Sequence, residues 1–313
     1  MSIEHTPVLL KESLQALSLS EGSVVLDCTF GRGGHSCAFL EAVGETGRVV
    51  ALDVDETAAQ RASELAHLHP SRRFTFLMLN FRNLDVALHM AGIGKVDAVF
   101  FDLGVSSPQF DEAGRGFSYR HDAPLDMRMS LSQRLTAADI VNNYDEDRIT
   151  ALLHDFGEER WARRIAKFVV AERADNPIRT TGQLVEIVKA AVPKDVRDAE
   201  TQHPARRTFQ ALRIAVNEEL EALEIALQKA VAVLKPGGRL ACISFHSLED
   251  RIVKHFMLSQ TQTCVCPPGI PQCVCDAKPT LTVGKRKPIL PTQDEIQDNP
   301  RARSAKLRVA TRR

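Results

Sequence analysis

The sequence predicts an α/β protein: a mostly parallel sheet with helices on both faces, interrupted by a block of helices. Three observations carry this. Strand-like and helix-like segments alternate through the first hundred residues. The alternation then stops for roughly another hundred, and strand signals return only near residue 238.

The elements follow in order. "SVVLDC" (23–28) is a short apolar run that reads as a buried strand, and "HSCAFLEAV" (35–43) reads as a helix. "GRVVALDVD" (47–55) is a second strand, "ETAAQRASELAHL" (56–68) a second helix, and "RFTFLML" (73–79) a third strand. "NLDVALHMAG" (83–92) is helical and "KVDAVFFDLG" (95–104) is a fourth strand. Right-handed crossovers between parallel strands place the helices on both faces. Residues 105–129 carry turn residues without a period and read as a long loop. From about 135 to 200 the pieces are helical. Thr136 and Asp139 form a capping box ahead of "AADIVNN". "GEERWARRIAKFVVAERA" (157–174) and "TGQLVEIVKAAV" (181–192) follow, the latter stopped by Pro193. Phe209, Leu212, Val216, Leu220, Leu223, Leu227 and Val231 recur at three- and four-residue steps. They predict one long amphipathic helix over 208–234, ended by "KPGG". "GRLACISF" (238–245) is the fifth strand, and short candidates near 280–284 and 304–311 complete the sheet. The organisation expected is a discontinuous α/β domain, 1–110 and 209–313, with a helical insert at 111–208.

Composition narrows the class. Apolar residues make up 44% and charged residues 26% of the 313, the balance of a soluble globular protein rather than a disordered or membrane chain. No apolar run approaches the roughly 20 residues that span a bilayer. The N-terminus lacks the basic start and apolar stretch of a secretion signal. The expected location is therefore cytoplasmic, where the seven Cys are thiols or metal ligands rather than disulfides. The net charge of zero gives no whole-molecule signal for nucleic acid, so any such signal is local. From Gly284 to Arg313 there are nine Lys or Arg against three Asp or Glu. Arg206, Arg207 and Arg213 cluster at the end of the insert, and Arg115, Arg120 and Arg128 punctuate the long loop. Phosphate contacts need such local charge.

The stretch "DCTFGRGGHSCAFL" (27–40) places Gly31, Gly33 and Gly34 between the first strand and its helix. A glycine turn there lets a ligand approach the main chain closely. The second strand ends in "ALDVD", with Asp53 nineteen residues past Gly34, placed to accept hydrogen bonds from ribose hydroxyls. Asp55 reads as the N-cap of the next helix. The ligand expected is therefore a nucleoside. The spacing is G-x-G-G rather than G-x-G-x-x-G, and Asp27 just before the loop would repel a pyrophosphate. That carboxylate suits a cationic ligand such as S-adenosylmethionine. "LKPGGRL" (234–240) agrees, because a helix ending this way before the fifth strand is frequent in methyltransferases that use that cofactor. Two other readings stay open on these residues: a nicotinamide-dependent oxidoreductase on the same sheet, and a non-catalytic RNA-binding assembly factor.

Several longer segments occur in order along nearly the whole chain: "HTPVLL" (5–10), "TFGRGGHS" (29–36), "FFDLGVSSPQ" (100–109), "GFSYRHDAPLDMRM" (116–129), "GEER" (157–160), "HPARRTFQALRIAVNEEL" (203–220), "LKPGGRLACISFHSLEDRIVK" (234–254) and "NPRARSAKLRVA" (299–310). Together they resemble the bacterial small-subunit rRNA cytosine-N4 methyltransferases, the RsmH (MraW) family. The resemblance implies a Rossmann-like class I methyltransferase sheet with an inserted all-helical subdomain that recognises substrate. It implies methyl transfer from S-adenosyl-L-methionine to the N4 amino group of a cytidine in the decoding region of 16S rRNA, within the small ribosomal subunit. Matched motif by motif, cofactor contacts fall on Gly33, Gly34, His35, Asp53, Phe81, Asp102 and Gln109. The glycines and Asp53 follow from the residues as well; Phe81 and Gln109 rest mainly on the resemblance.

The chemistry asks for a proton acceptor at the fourth strand, since the N4 lone pair is delocalised into the ring and the attacking nitrogen must shed a proton. Asp102 is the candidate catalytic residue. Past the fifth strand, Ser247 and Asp250 read as a capping box, leaving His246 free to face substrate. "CVCPPGIPQCVC" (264–275) holds Cys264, Cys266, Cys273 and Cys275, a C-x-C…C-x-C set that could bind a structural Zn²⁺. Cys28 and Cys37 read as small core residues.

Overall fold

A computed structural model of the chain describes residues 7–68, 73–105, 112–199, 202–264, 266, 275 and 277–313. It divides into two compact units, Met1–Gly104 with Leu220–Arg313, and Val105–Glu219.

The first unit is built on a seven-stranded sheet. Its strands are β1 (Val24–Asp27), β2 (Arg48–Asp53), β3 (Phe74–Met78), β4 (Val96–Asp102), β5 (Leu234–Ser244), β6 (Leu281–Thr282) and β7 (Lys306–Arg312). The spatial order is β3-β2-β1-β4-β5-β7-β6. The first five strands pair in parallel, whereas β7 runs antiparallel to both β5 and β6. The parallel strands read as nearly unbroken apolar runs because both faces are covered. Val25, Val49, Ala51, Ala98, Phe100, Ala241 and Ile243 share one core with residues of α1 (Leu10–Leu17), α2 (Gly34–Ala42) and α3 (Glu56–Leu68). Leu26, Val50, Leu52, Val99, Phe101, Leu240 and Cys242 share the other with α4 (Leu84–Met90), α11 (Glu219–Val233) and α12 (Ser247–Ser259). Cys28 and Cys242 are buried there, and burial pushes both thiols well up. Cys37, half-buried on α2, packs against the first core. No helix among the described residues is long and apolar enough to cross a membrane.

Two local expectations change in this unit. "KPGG" does not separate helix from strand. Leu234 already pairs with Val96, the next matched pair is Arg239 with Ala98, and the residues between them bulge out of β5. Gly237 supplies the left-handed turn of that bulge, at φ 81°. A Cβ on Gly238 would lie 2.9 Å from the Asp97 carbonyl oxygen. Lys235 closes the bulge by donating to Asp97 Oδ2 at 2.8 Å, the same oxygen that accepts the Val24 N–H. The cap of α12 is also one residue earlier than expected. His246 is the N-cap and Glu249 completes the box, its carboxylate accepting the N–H groups of Phe245 and His246. Ser247 is then the first helical residue, and Asp250 is occupied elsewhere. It accepts from Arg308 Nε at 2.6 Å and from Lys306 Nζ at 3.3 Å, tying β7 to α12. Burial pushes the Asp250 carboxyl up, but these two cations hold it below its ordinary value.

The second unit is helical, with a core of its own. It contains α5 (Ala137–Asn143), α6 (Glu146–Gly157), α7 (Ala162–Asp175), α8 (Thr181–Ala191), α9 (Lys194–Ala199) and α10 (Arg206–Asn217). The capping box of Thr136 and Asp139 forms as expected, and Thr180 with Gln183 makes another. "GEER" is not a helix start: Gly157 ends α6, Glu158 turns left-handed at φ 48°, and α7 begins at Ala162. A Cβ on Gly157 would lie 2.9 Å from the Arg207 carbonyl oxygen, so the glycine lets α6 meet α10 closely. Several arginines of the charge clusters are committed internally. Arg128 forks onto Asp126, Arg115 donates to the carbonyls of Arg128 and Met129, and Arg213 pairs with Glu219 at 2.8 Å.

The long helix expected over 208–234 is broken. Glu218 adopts φ 50° and caps α10, and α11 starts at the next residue. The apolar period continues across the break, but its two halves serve different cores. Phe209, Leu212 and Val216 belong to the helical core, whereas Leu223, Leu227 and Val231 belong to the sheet. Asn217 anchors the end of α10. Its Oδ1 accepts the Met129 N–H at 2.7 Å, and its amide donates to the Met127 and Arg213 carbonyls, each at 2.8 Å. Asn217→Ala would strand these buried groups, and is expected to destabilise the helical unit by about 2–4 kcal/mol. Trp161, the single tryptophan, lies in that unit. A urea titration followed by its fluorescence is expected to show a midpoint shifted to lower denaturant.

Candidate active site

The site begins at a buried carboxylate. Asp27 ends β1 fully buried, and burial pushes its carboxyl up while a hydrogen bond from Ser36 draws it back down. Ser36 Oγ, in the first turn of α2, donates to Asp27 Oδ2 at 2.6 Å. The Thr29 N–H donates to Oδ1 at 3.1 Å. Thr29 Oγ1 then accepts the Asp102 N–H at 2.6 Å. One chain of hydrogen bonds therefore joins the ends of β1 and β4 to the start of α2. Ser36 and Thr29 were not singled out in the sequence, although two hydroxyls flanking an apolar strand's terminal Asp are the available signal. Asp27, expected beside a cationic ligand, has both oxygens engaged by the protein.

The glycine loop is shaped by its own chain. Gly31, at φ 54°, donates its N–H to Asp53 Oδ2 at 2.7 Å. Gly33 has φ 77°, and a Cβ there would lie 2.6 Å from the Phe30 ring. A Cβ on Gly34 would run into the Pro7 ring. Asp53 ends β2, and its other oxygen accepts the N–H groups of Val54 and Asp55 at 2.8 and 2.9 Å. Burial nevertheless outweighs these bonds and pushes the carboxyl up to about 6. Asp55 accepts from the N–H and hydroxyl of Thr57, as a cap of α3 does.

His35 and Asp102 meet beside the loop. His35 Nε2 lies 3.5 Å from Asp102 Oδ2, and the imidazole packs against the Phe100 ring, with centroids 4.6 Å apart. Phe81 opens a short 3-10 turn after β3, capped by Asn80, and stands edge-on to Phe101 at 5.7 Å. Gly33, Gly34, His35, Asp53 and Asp102 are thus joined through the loop, while Phe81 reaches β4 one residue before Asp102. Gln109 lies outside the described residues.

The fit of S-adenosylmethionine can be tested on unspent polarity. Among the described residues, both ring nitrogens of His35 and Oδ1 of Asp102 are buried without a hydrogen-bond partner. Buried polar atoms are costly when unpaired. A ligand bearing both donors and acceptors would satisfy them, and S-adenosylmethionine carries both on its amino-acid and adenosine parts. These residues fit such a group.

A sheet in this order, with only its seventh strand reversed, is the sheet of class I methyltransferases, and the acids closing β2 and β4 stand at the carboxyl ends where open α/β sheets bind ligands. The chain belongs to the MraW methylase family, whose pattern matches residues 2–313. It is 50% identical over 313 residues to the ribosomal RNA small subunit methyltransferase H of Symbiobacterium thermophilum, covering 100% of this chain and 98% of that one. The protein of the same name from Halothermothrix orenii is 49% identical over 310 residues, covering 99% of each chain. That from Heliobacterium modesticaldum is 50% identical over 312 residues, again covering 99% of each.

Asp53 generates a pH prediction. Its folded value, about 6, lies above the ordinary 3.8, so the folded chain keeps a proton that the unfolded chain has released. The resulting stabilisation is full below pH 3.8 and disappears as pH rises through 6. The melting temperature of the wild type, measured relative to Asp53→Asn, is expected to fall between about pH 4 and 6 and to level off above.

Proposed function

We propose that this chain transfers a methyl group from S-adenosyl-L-methionine to the N4 amino group of a cytidine in the decoding region of 16S rRNA. The observation that carries the reading is full-length membership of a methylase family, with relatives of about half identity named for small-subunit rRNA. The unpaired polarity of His35 and Asp102 supports it from the side of the site.

In this reading Gly33, Gly34 and His35 hold the cofactor at the loop, Asp53 takes the ribose hydroxyls, Phe81 lies by the adenine, and Asp102 and Gln109 complete the pocket. The cofactor, when bound, supplies a methyl group made electrophilic by its sulfonium. Asp102 does the chain's share of the chemistry. Its carboxylate accepts a hydrogen bond from the amino group, which favours a lone pair directed out of the ring plane, and then holds the proton the nitrogen sheds. Holding both reactants in line supplies much of the remaining rate. The Thr29 hydroxyl accepts the Asp102 N–H, so the main chain that carries this acceptor is held by the protein's own hydrogen bond. Residues 1–110 and 209–313 bind the cofactor, and the insert at 111–208 recognises the RNA, whose target base must leave its stack to react. The protein works in the cytoplasm.

The test uses small ribosomal subunits from cells lacking the protein, incubated with the purified chain and S-adenosylmethionine carrying a labelled methyl group. Mass mapping is expected to find the label as N4-methylcytidine in the decoding region. Asp102→Ala is expected to lower turnover by about 10²–10⁴-fold while RNA binding persists. Label on another base, or binding of NAD in place of S-adenosylmethionine in a calorimetric titration, would overturn the reading.

A further inference from the structure

We infer that Cys264, Cys266 and Cys275 form a thiolate site for one structural Zn²⁺ ion, built into the excursion between α12 and β6. The inference stands apart from the methyltransferase reading. The three sulfurs lie within 4.8 Å of one another, and those of Cys264 and Cys275 are 3.8 Å apart. A disulfide would bring that pair to about 2.05 Å. A tetrahedral Zn²⁺ with Zn–S bonds of about 2.3 Å sets its ligand sulfurs about 3.8 Å from each other. The observed separation is too long for a disulfide and matches the edge of a zinc tetrahedron. The Cys266 N–H also points to Cys264 Sγ at 3.4 Å, a donor of the kind that stabilises a metal-bound thiolate.

The described chain on either side closes a loop around the thiols. Both ends of the excursion are fastened at one place. The Gln260 carbonyl accepts the N–H groups of Thr280 at 2.9 Å and Leu281 at 3.2 Å, and Gln260 Oε1 accepts the Thr280 hydroxyl at 2.6 Å. The thiols lie inside the loop so closed. An ion held by these thiolates contributes its binding free energy to the closed loop. Three thiolates brought together on one closed excursion suit an ion that fastens the loop. The fourth thiol of the sequence motif, Cys273, lies outside the described residues.

The test is metal content of the full chain purified without chelators. About one zinc per chain is expected, and replacement by Co²⁺ should give the thiolate charge-transfer band and the visible bands of a tetrahedral ion. Cys264→Ser and Cys275→Ser are each expected to weaken zinc binding by at least about tenfold. Cys37→Ser, which lies outside the cluster, should keep the ion. Far-ultraviolet circular dichroism of each variant checks that the chain still folds. A wild-type chain that takes up no zinc from a buffered zinc solution, a cobalt spectrum without the charge-transfer band, or folded variants that bind zinc like the wild type would overturn the inference.

Discussion

The carboxylate of Asp27 is the constraint on which the rest of the site depends. It sits fully buried at the end of β1, where an unpaired charge would be costly, and the structure meets both of its oxygens. One partner is the first turn of α2, the other is the loop, and the loop's threonine in turn holds the main chain of β4. Two side chains that never touch Asp27's oxygens, His35 and Asp102, are brought to 3.5 Å as a result. The pair is set by the scaffold before any ligand arrives.

The glycines beside this node serve the protein first. Gly31 gives its N–H to Asp53, Gly33 accommodates the Phe30 ring, and Gly34 accommodates Pro7. The N-terminal segment that lies on the loop is itself secured, because the Leu9 N–H donates to Glu295 at 2.6 Å. A glycine-rich turn after a first strand thus combines tight self-packing with exposure of polar groups nearby. Among the described side chains beside the turn, buried polarity without a partner belongs to His35 and Asp102.

Much of this was legible in the sequence because the responsible signals are local. The parallel strands are apolar runs, the helices alternate with them, and the capping box of Thr136 involves residues only three apart. The misread features are those decided at longer range. Periodicity alone cannot show that Leu212 and Leu227 serve different cores, so the break at Glu218 is invisible along the chain. The α12 cap is the local exception: His246 is not among the usual N-cap residues, so the adjacent Ser247 carries the stronger signal. Arginine clusters look alike whether they wait for phosphate or, as with Arg128 and Arg213, already hold a carboxylate. Asp53 and Asp102 do end β2 and β4, and the one sign of the Thr29 hydroxyl that holds the β4 end is its place just after the first strand's terminal Asp.

The outermost strand on the C-terminal side, β6, is only two residues long and lies against a reversed neighbour. Open sheet borders invite foreign strands to dock and seed aggregates. So brief a border offers a passing peptide too little main chain to zip onto. This flank of the sheet is therefore guarded by brevity.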